Sequence, residues 1–289
     1  MALASGLRGC EGRGRYVKEM DIRMSGEVLM NAGEGGVVHV TLRHAGRLNA
    51  MSRTMWRQLR SVFEGIQASN ARCVVIAGEG GAFCAGGDIS EYPGFRFDAA
   101  ALRDFHENDV WGGLNAMLAC DVPIVASISG ACMGAGVEIA SCCDVRVAGA
   151  AARFGAPIAK LGFPMAPREA QLVAAAVGDV TARQMLLEAA TFSAADMLAR
   201  GFLSRVTEPG LLAADALGTA CRVAALAPEA ARMNKQTFRA LKTPVAPDGK
   251  TQAAIENIVN GTPDPYAYAD SAEHREGIAA FLAKRPPVF

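Results

Sequence analysis

Short apolar runs alternate along the chain with longer segments whose apolar residues recur every three or four positions. Runs rich in β-branched residues over 36–42, 73–77 and 123–128 predict buried strands, and 36–42 is the first segment that the pattern predicts to be structured. Between the first two runs, five apolar residues from Met55 to Ile66 lie at helical spacing. This spacing predicts an amphipathic helix with one apolar face.

The same alternation continues towards the C-terminus. It predicts helices over 99–119, 167–177 and 181–189, strands over 144–148 and 203–206, an extended piece at 153–155, and a helix-start box at Ser193 and Asp196. From residue 209 onward the pattern is helical, with a loop at 244–249. The first two-thirds of the chain are therefore predicted to be α/β, followed by an α-helical region.

Composition and charge exclude several classes of protein. Lysine plus arginine and aspartate plus glutamate each number 29, so no net charge favours nucleic acid or an acidic membrane. The chain contains no run of eighteen apolar residues, and we expect no transmembrane helix. The eight cysteines form no C-x-x-C pair, which favours reduced, mostly buried thiols in a cytoplasmic protein without a metal site. Residues 1–24 are Gly/Arg-rich and aperiodic, and we interpret them as a disordered extension.

Two glycine-rich turns carry the candidate chemistry. Ala85-Gly-Gly-Asp88 and Gly134-Ala-Gly136 each lie between an apolar strand and a predicted helix. Glycine allows a ligand to approach the backbone closely, and the first turn of a helix has unpaired N–H groups. Two such turns side by side would direct two amides at one oxygen atom, as in an oxyanion hole. Neither turn fits a G-x-G-x-x-G or P-loop phosphate motif.

Taken in order, several segments resemble the crotonase superfamily, the enoyl-CoA hydratase/isomerase family. The resemblance is carried by Arg47-Leu-Asn49-Ala50, Phe83-Cys-Ala85-Gly-Gly-Asp88-Ile89, Gly130-Ala-Cys-Met-Gly134-Ala135-Gly136-Val-Glu138, Cys143-Asp144-Val-Arg146, Arg153-Phe154-Gly155, Lys160-Leu-Gly162 and His274-Arg-Glu-Gly277. It covers roughly residues 25–289. It implies a crotonase-like spiral of ββα units over 25–208 that carries the acyl-CoA site, and an α-helical C-terminal region over 209–289 for oligomerisation and pocket closure.

The resemblance also implies roles for individual residues. The backbone N–H groups of Ala85 and Ala135 would hold the thioester oxygen, and the loop Ala85, Gly86, Gly87 and Asp88 would bind substrate. Arg47 and Lys284 are candidates for contacts with the CoA phosphates. CoA is then part of the substrate, no separate cofactor is expected, and the family usually assembles as homotrimers or dimers of trimers.

One catalytic carboxyl group is present and another is missing. Glu138 follows Ala135 by three positions, so on a helix it lies on about the same face as the oxyanion donor, and it matches a family catalytic glutamate. The second family glutamate corresponds here to Ile158, which cannot transfer a proton. Glu169, His106 and Asp109 are candidates for a replacement acid.

The leading interpretation is an enoyl-CoA hydratase/isomerase-like lyase with Glu138 as general acid/base. Isomerisation by Glu138 alone, a decarboxylase, a thioester hydrolase and a non-catalytic acyl-CoA-binding relative stay open, because Ile158 removes the second acid. The sequence leaves the acyl group undetermined, and the segment Tyr92 to Trp111, with several aromatic residues, is expected to shape its pocket. No serine lies in a recognisable triad context, which argues against a serine peptidase.

Overall fold

The computed structural model describes residues 26–208, 210–241 and 266–289. The predicted disordered extension at 1–24 and the predicted loop at 244–249 lie outside these residues. The strands are β1 Glu27–Ala32, β2 Val37–Arg43, β3 Cys73–Gly78, β4 Ile124–Ile128, β5 Ala131–Met133, β6 Val145–Gly149, β7 Arg153–Gly155, β8 Thr191–Ser193 and β9 Arg205–Thr207. The α-helices are α1 Arg53–Gln67, α2 Ala99–Asp104, α3 Trp111–Ala119, α4 Ala135–Ser141, α5 Pro167–Val177, α6 Asp179–Leu187, α7 Ala194–Ala199, α8 Leu212–Ala224, α9 Pro228–Leu241 and α10 Ala272–Leu282.

The strands form two sheets that the chain visits in turn. The larger sheet has the order β1-β2-β3-β4-β6-β9, in which β1 is antiparallel to β2 and the other pairs are parallel. The smaller sheet has the order β5-β7-β8, with β5 and β7 parallel. The units β4-β5-α4 and β6-β7-α5 each place one strand in each sheet before a helix. This repetition is the predicted ββα spiral.

Helix α1 follows the predicted amphipathic pattern. Ser52 caps its N-terminus by accepting a hydrogen bond from the backbone N–H of Met55 at 3.2 Å. Its buried face consists of Met55, Trp56, Leu59, Phe63 and Ile66. These side chains join the main apolar core with the inward residues of the larger sheet, such as Leu42 and Ile76. Because this face is buried, the segment before α1 is held in place. That segment in turn supports one of the glycine-rich turns.

Several elements differ from the sequence prediction: Ala131–Met133 and Thr191–Ser193 are additional strands, and the predicted helix 181–189 and strand 203–206 lie at Asp179–Leu187 and Arg205–Thr207. Two further differences have a clear physical reason. Strand β1 lies before the segment that was predicted to be the first structured one. It is an edge strand and pairs with β2 over its whole length. As an edge strand it has one exposed end, so its alternation is weak. The helix predicted over 99–119 is interrupted by a π-helical turn at Phe105–Val110. Such turns insert one residue per turn without removing the helical periodicity, so a period of 3.6 does not reveal them.

Within the described part of the chain, no helix is both long enough and apolar enough to cross a membrane. The capping box predicted at Ser193 and Asp196 is confirmed at the start of α7. The predicted bounds of α5 are also confirmed. The first turn of this helix contains Glu169.

Candidate active site

The two glycine-rich turns lie side by side because the chain after β3 pairs with β5. The amide of Cys84 donates to the carbonyl of Ala131 at 2.9 Å, and the amide of Met133 donates to the carbonyl of Cys84 at 2.9 Å. A Cβ atom placed on Gly134 would lie 3.7 Å from the Cα of Gly86. Gly134 has a φ of 47° and directly precedes α4, so a glycine is needed at this turn. The predicted juxtaposition of the two turns is therefore present.

The prediction that the N–H of Ala85 is the oxyanion donor of the first turn is wrong. The N–H of Ala85 already donates to the carbonyl of Leu48 at 3.0 Å. Met51 donates to Gly86 at 2.8 Å and accepts from Asp88 at 2.9 Å, so this loop pairs with Met51 as a short parallel bridge. Successive amides of extended backbone alternate in direction, so the N–H of the residue between them, Gly87, points away from Met51.

A cavity of about 210 Å³ opens beside both turns. Its wall contains Ala85, Gly86 and Gly87 of the first turn and the start of α4. It also contains the acidic and basic side chains of Arg96, His106, Glu138 and Glu169. The lining includes Ala85, Gly86, Gly87, Tyr92, Arg96, Phe105, His106, Gly134, Ala135, Glu138, Ile158, Phe163 and Glu169. Ala135 is the first residue of α4, where helix geometry leaves backbone amides without a partner inside the helix. The cavity therefore has amides from two different turns in one wall.

Glu138 lies in α4 one turn beyond Ala135 and lines the cavity, as predicted. Only 7% of the residue is exposed. Burial raises the pKa of its carboxyl group well above the usual value, and the nearby charge of Glu169 raises it further. A carboxyl group with a raised pKa retains its proton nearer to neutral pH, and can act as an acid as well as a base.

Glu169 and His106 meet in the same cavity, whereas Asp109 does not. Oε1 of Glu169 lies 2.9 Å from Nδ1 of His106, and Glu169 is 3% exposed. Ile158, the position of the missing family glutamate, also lines the cavity. Asp109 is buried elsewhere, with its carboxylate oxygens 2.6 Å from Nε of Arg53 and 2.7 Å from Nε of Arg57. Asp109 therefore holds a structural ion-pair cluster, and its candidacy as a replacement acid is wrong.

Aromatic side chains form part of the cavity wall. Tyr92 and Phe105 come from the segment expected to shape the acyl pocket, and Phe163 joins them from the loop before α5. The Arg96 guanidinium lies 3.5 Å from the ring centroid of Phe163, a contact that the sequence did not predict. Phe97, from the same segment, is 90% exposed and does not contribute.

Three predicted binding residues lie outside the cavity wall. Asp88 is buried and caps the short 3₁₀ helix at Ile89–Gly94 by accepting from the N–H of Ser90 at 3.0 Å. Arg47 extends along the surface, with one guanidinium nitrogen 3.9 Å from the Asp88 carboxylate. Lys284 is exposed just after α10. Asp88 is thus a structural residue of the loop, while roles for Arg47 and Lys284 in phosphate binding stay predictions.

The chain matches the family model described as enoyl-CoA hydratase/isomerase over residues 32–289. A Rhizobium meliloti protein named "Probable enoyl-CoA hydratase" is 32% identical, over 92% of this chain and 99% of its own length. The mevalonyl-coenzyme A hydratase of Beauveria bassiana is 31% identical, over 88% of this chain and 91% of its own. The crystal structure of an enoyl-CoA hydratase/carnithine racemase from Magnetospirillum magneticum superposes with a TM-score of 0.81 at 34% identity, covering 91% of this chain and 94% of that one. This chain therefore belongs to the enoyl-CoA hydratase/isomerase family.

Proposed function

We propose that this protein adds water across the double bond of 2-enoyl-CoA thioesters. The observation that carries the proposal is the meeting of two amide-bearing turns and Glu138 at one cavity. The thioester carbonyl would lie between the N–H groups of Gly87 and Ala135. As the enolate forms, its oxygen gains negative charge, and each well-placed donor stabilises it by roughly 3 kcal/mol. CoA belongs to the substrate in this scheme, which uses no separate cofactor.

Glu138 is the general acid/base of the proposed reaction. Its carboxyl group lies one helical turn from the Ala135 amide, so it can reach the α- or β-carbon of a thioester held by that amide. Its raised pKa supports a role in donating a proton to carbon. The same carboxyl group could move a proton between carbons and shift a double bond, so isomerisation of 3-enoyl-CoA is the second candidate.

The test compares both substrates. Purified protein is mixed with 2-enoyl-CoA thioesters of several chain lengths, and the loss of the conjugated thioester absorbance is followed; 3-enoyl-CoA thioesters are assayed for the reverse change. We expect hydration by the wild type, and a fall in kcat of about 10²- to 10⁴-fold in Glu138→Gln. Glu64→Gln, an exposed change in α1, is the matched control and should retain full activity. Binding without turnover at every chain length would refute the enzymatic proposal in favour of a non-catalytic acyl-CoA-binding protein.

We further propose that the protein assembles as a homotrimer or a dimer of trimers. Supporting this, α10 exposes apolar side chains at Ile278, Phe281 and Leu282, which are 54%, 81% and 74% exposed in the single chain. Exposed apolar residues grouped on one helix are typical of a covered interface. Light scattering after size-exclusion chromatography measures the mass directly, and a monomer at micromolar concentration would contradict this assembly.

A further inference from the structure

Hydration of a conjugated thioester needs two proton transfers. One group takes a proton from the attacking water, and another gives a proton to the α-carbon. Ile158 occupies the position at which the resemblance places the second carboxyl group, and its side chain borders the cavity without a proton to exchange. The cavity nevertheless contains a second carboxyl group, brought there by a different element.

Glu169 reaches the cavity from the first turn of α5. It is 3% exposed, it lines the same space as Glu138 and Ile158, and it is held by Nδ1 of His106 at 2.9 Å. His106 lies in the π-helical turn at Phe105–Val110. The carboxyl group of Glu169 therefore lies within hydrogen-bonding distance of an imidazole nitrogen and in the first turn of a helix, where a negative charge is favoured.

The position of this pair distinguishes it from a structural ion pair. Asp109 with Arg53 joins a carboxylate to a permanent cation away from the cavity, whereas Glu169 and His106 both border the cavity beside Glu138. Two carboxyl groups that repel one another in a buried space hold one proton between them more readily than none. One proton on the pair is the resting state that a hydratase needs.

We propose that Glu169, held by His106, is the second acid/base of this enzyme and replaces the carboxyl group lost at Ile158. This inference rests on the proposed function. Glu169 and Glu138 then contact the substrate as a catalytic pair, while His106 is a positioning residue that keeps the Glu169 carboxyl group oriented.

The proposed reaction joins the addition of water to two proton transfers. The Glu169 carboxylate takes a proton from water, and the water oxygen forms a bond to C3 of the enoyl group. The π electron pair of C2=C3 moves to C1, and the carbonyl π pair moves to oxygen, which is held as an enolate by the two amides. Collapse of the enolate returns an electron pair to C2, which takes the proton of the Glu138 carboxyl group. Water is added across C2=C3, and transfer of a proton from Glu169 to Glu138 restores the enzyme.

The charged and titratable groups around Glu169 come from three elements. Glu138 faces it from α4, His106 from the π-helical turn, and Tyr92 and Arg96 from the aromatic wall. Arg168, the preceding residue, lies with its guanidinium 3.3 Å from Glu107. Of these groups, only His106 is in hydrogen-bonding contact with the Glu169 carboxyl group among the described residues. Removal of the His106 imidazole should therefore leave the Glu169 carboxyl group without the contact that orients it.

The experiment measures hydration of a 2-enoyl-CoA by wild type, Glu169→Gln, His106→Ala and His106→Asn over a range of substrate concentrations. Glu169→Gln should lower kcat by about 10²- to 10⁴-fold with little change in KM. His106→Ala should lower kcat by about 10- to 100-fold with little change in KM, because the Glu169 carboxyl group loses the hydrogen bond that orients it. His106→Asn, which can place an amide N–H near the position of Nδ1, should restore part of the lost kcat. Asp109→Asn, a change at a buried acid outside the cavity, is the matched control.

Several results would overturn the inference. If Glu169→Gln retains the wild-type kcat while Glu138→Gln is inactive, Glu169 has no catalytic role and the proposed function stands. If wild type hydrates no enoyl-CoA, the proposed function and this inference both fail. If Glu169→Gln does not fold, as judged by circular dichroism, the His106 variants decide: a wild-type kcat in His106→Ala would refute the positioning role and with it the pair.

Discussion

Substitution of Gly136 by alanine tests whether the contact between the two glycine-rich turns sets the rate. A Cβ atom on Gly136 would lie 2.6 Å from the carbonyl oxygen of Cys84, whereas ordinary contact begins at 3.4 Å. The turns would have to separate by about 0.8 Å, the difference between these distances. That oxygen also accepts the hydrogen bond from the amide of Met133 that joins the turns.

A displacement of this size has a different effect on the rate than on the fold. A shift of roughly 1 Å in a catalytic group can cost about 10²-fold in rate, so we expect kcat to fall by about 10- to 100-fold. Overpacking should lower the free energy of unfolding by only about 1–3 kcal/mol. Hydration kinetics and urea unfolding measure the two quantities.

The control substitution for this test is Gly65→Ala. Gly65 is exposed within α1, and an added Cβ would meet no atom within 4 Å. The change should raise the free energy of unfolding by about 0.5–1 kcal/mol and leave kcat unchanged. If Gly136→Ala is folded and as active as Gly65→Ala, the spacing of the two turns does not determine the oxyanion site, and the assignment of that site is refuted.

Three further predictions concern other parts of the molecule. Burial raises the pKa of Glu138 in the folded protein, so at pH values above the unfolded-state pKa of about 4.3 unfolding releases the proton of this carboxyl group, and the free energy of unfolding of the wild type falls as pH rises. Glu138→Gln should remove this fall. Urea unfolding curves that respond equally to pH in both proteins would contradict the prediction. Asp109→Asn should lower the free energy of unfolding by about 1–3 kcal/mol and leave kcat unchanged, since it weakens bonds to two arginines outside the cavity; a large loss of kcat in folded protein would show that Asp109 acts in the reaction. Cys221 is the exposed cysteine among the described residues, and in a Cys10→Ser variant its thiol should react first with Ellman's reagent. The other described thiols should react slowly because burial raises their pKa, in the case of Cys84 to about 12. Rapid reaction of further thiols would contradict this prediction.

The fold was predictable wherever one element buries one regular face. The strands β3 and β4 are nearly continuous apolar runs because both of their faces are covered, one by the main apolar core and the other by a second apolar cluster. Strand β1 was missed because it is paired on one side only and exposes its C-terminal half. The assignment of β5 and β7 to a second sheet depends on pairing between distant segments, for which the resemblance, and not the local pattern, gave the expectation.

The site was predictable at the level of turns and not of single atoms. Glycine content located both turns, and helix periodicity placed Glu138 beside the second one. The direction of each amide depends on which neighbour the extended backbone pairs with. The carbonyl of Leu48 takes the Ala85 amide, and Met51 bonds on either side of Gly87. These partners lie more than thirty residues before the turn, so no spacing within the motif distinguishes Gly87 from Ala85.

Glu169 shows why a functional carboxyl group can be hidden within an ordinary sequence pattern. An acidic residue three positions into a helix that begins with proline is a normal stabilising feature of a helix N-terminus, and needs no functional explanation. Glu169 differs from such a residue only in the folded protein, where α5 packs against α4 and the π-helical turn places Nδ1 of His106 2.9 Å from Oε1 of Glu169. Catalysis requires a proton-transferring group at a point in space, and a cavity enclosed by several elements can supply that group from more than one of them. The loss at Ile158 therefore excludes one position for the second acid without excluding the hydration reaction.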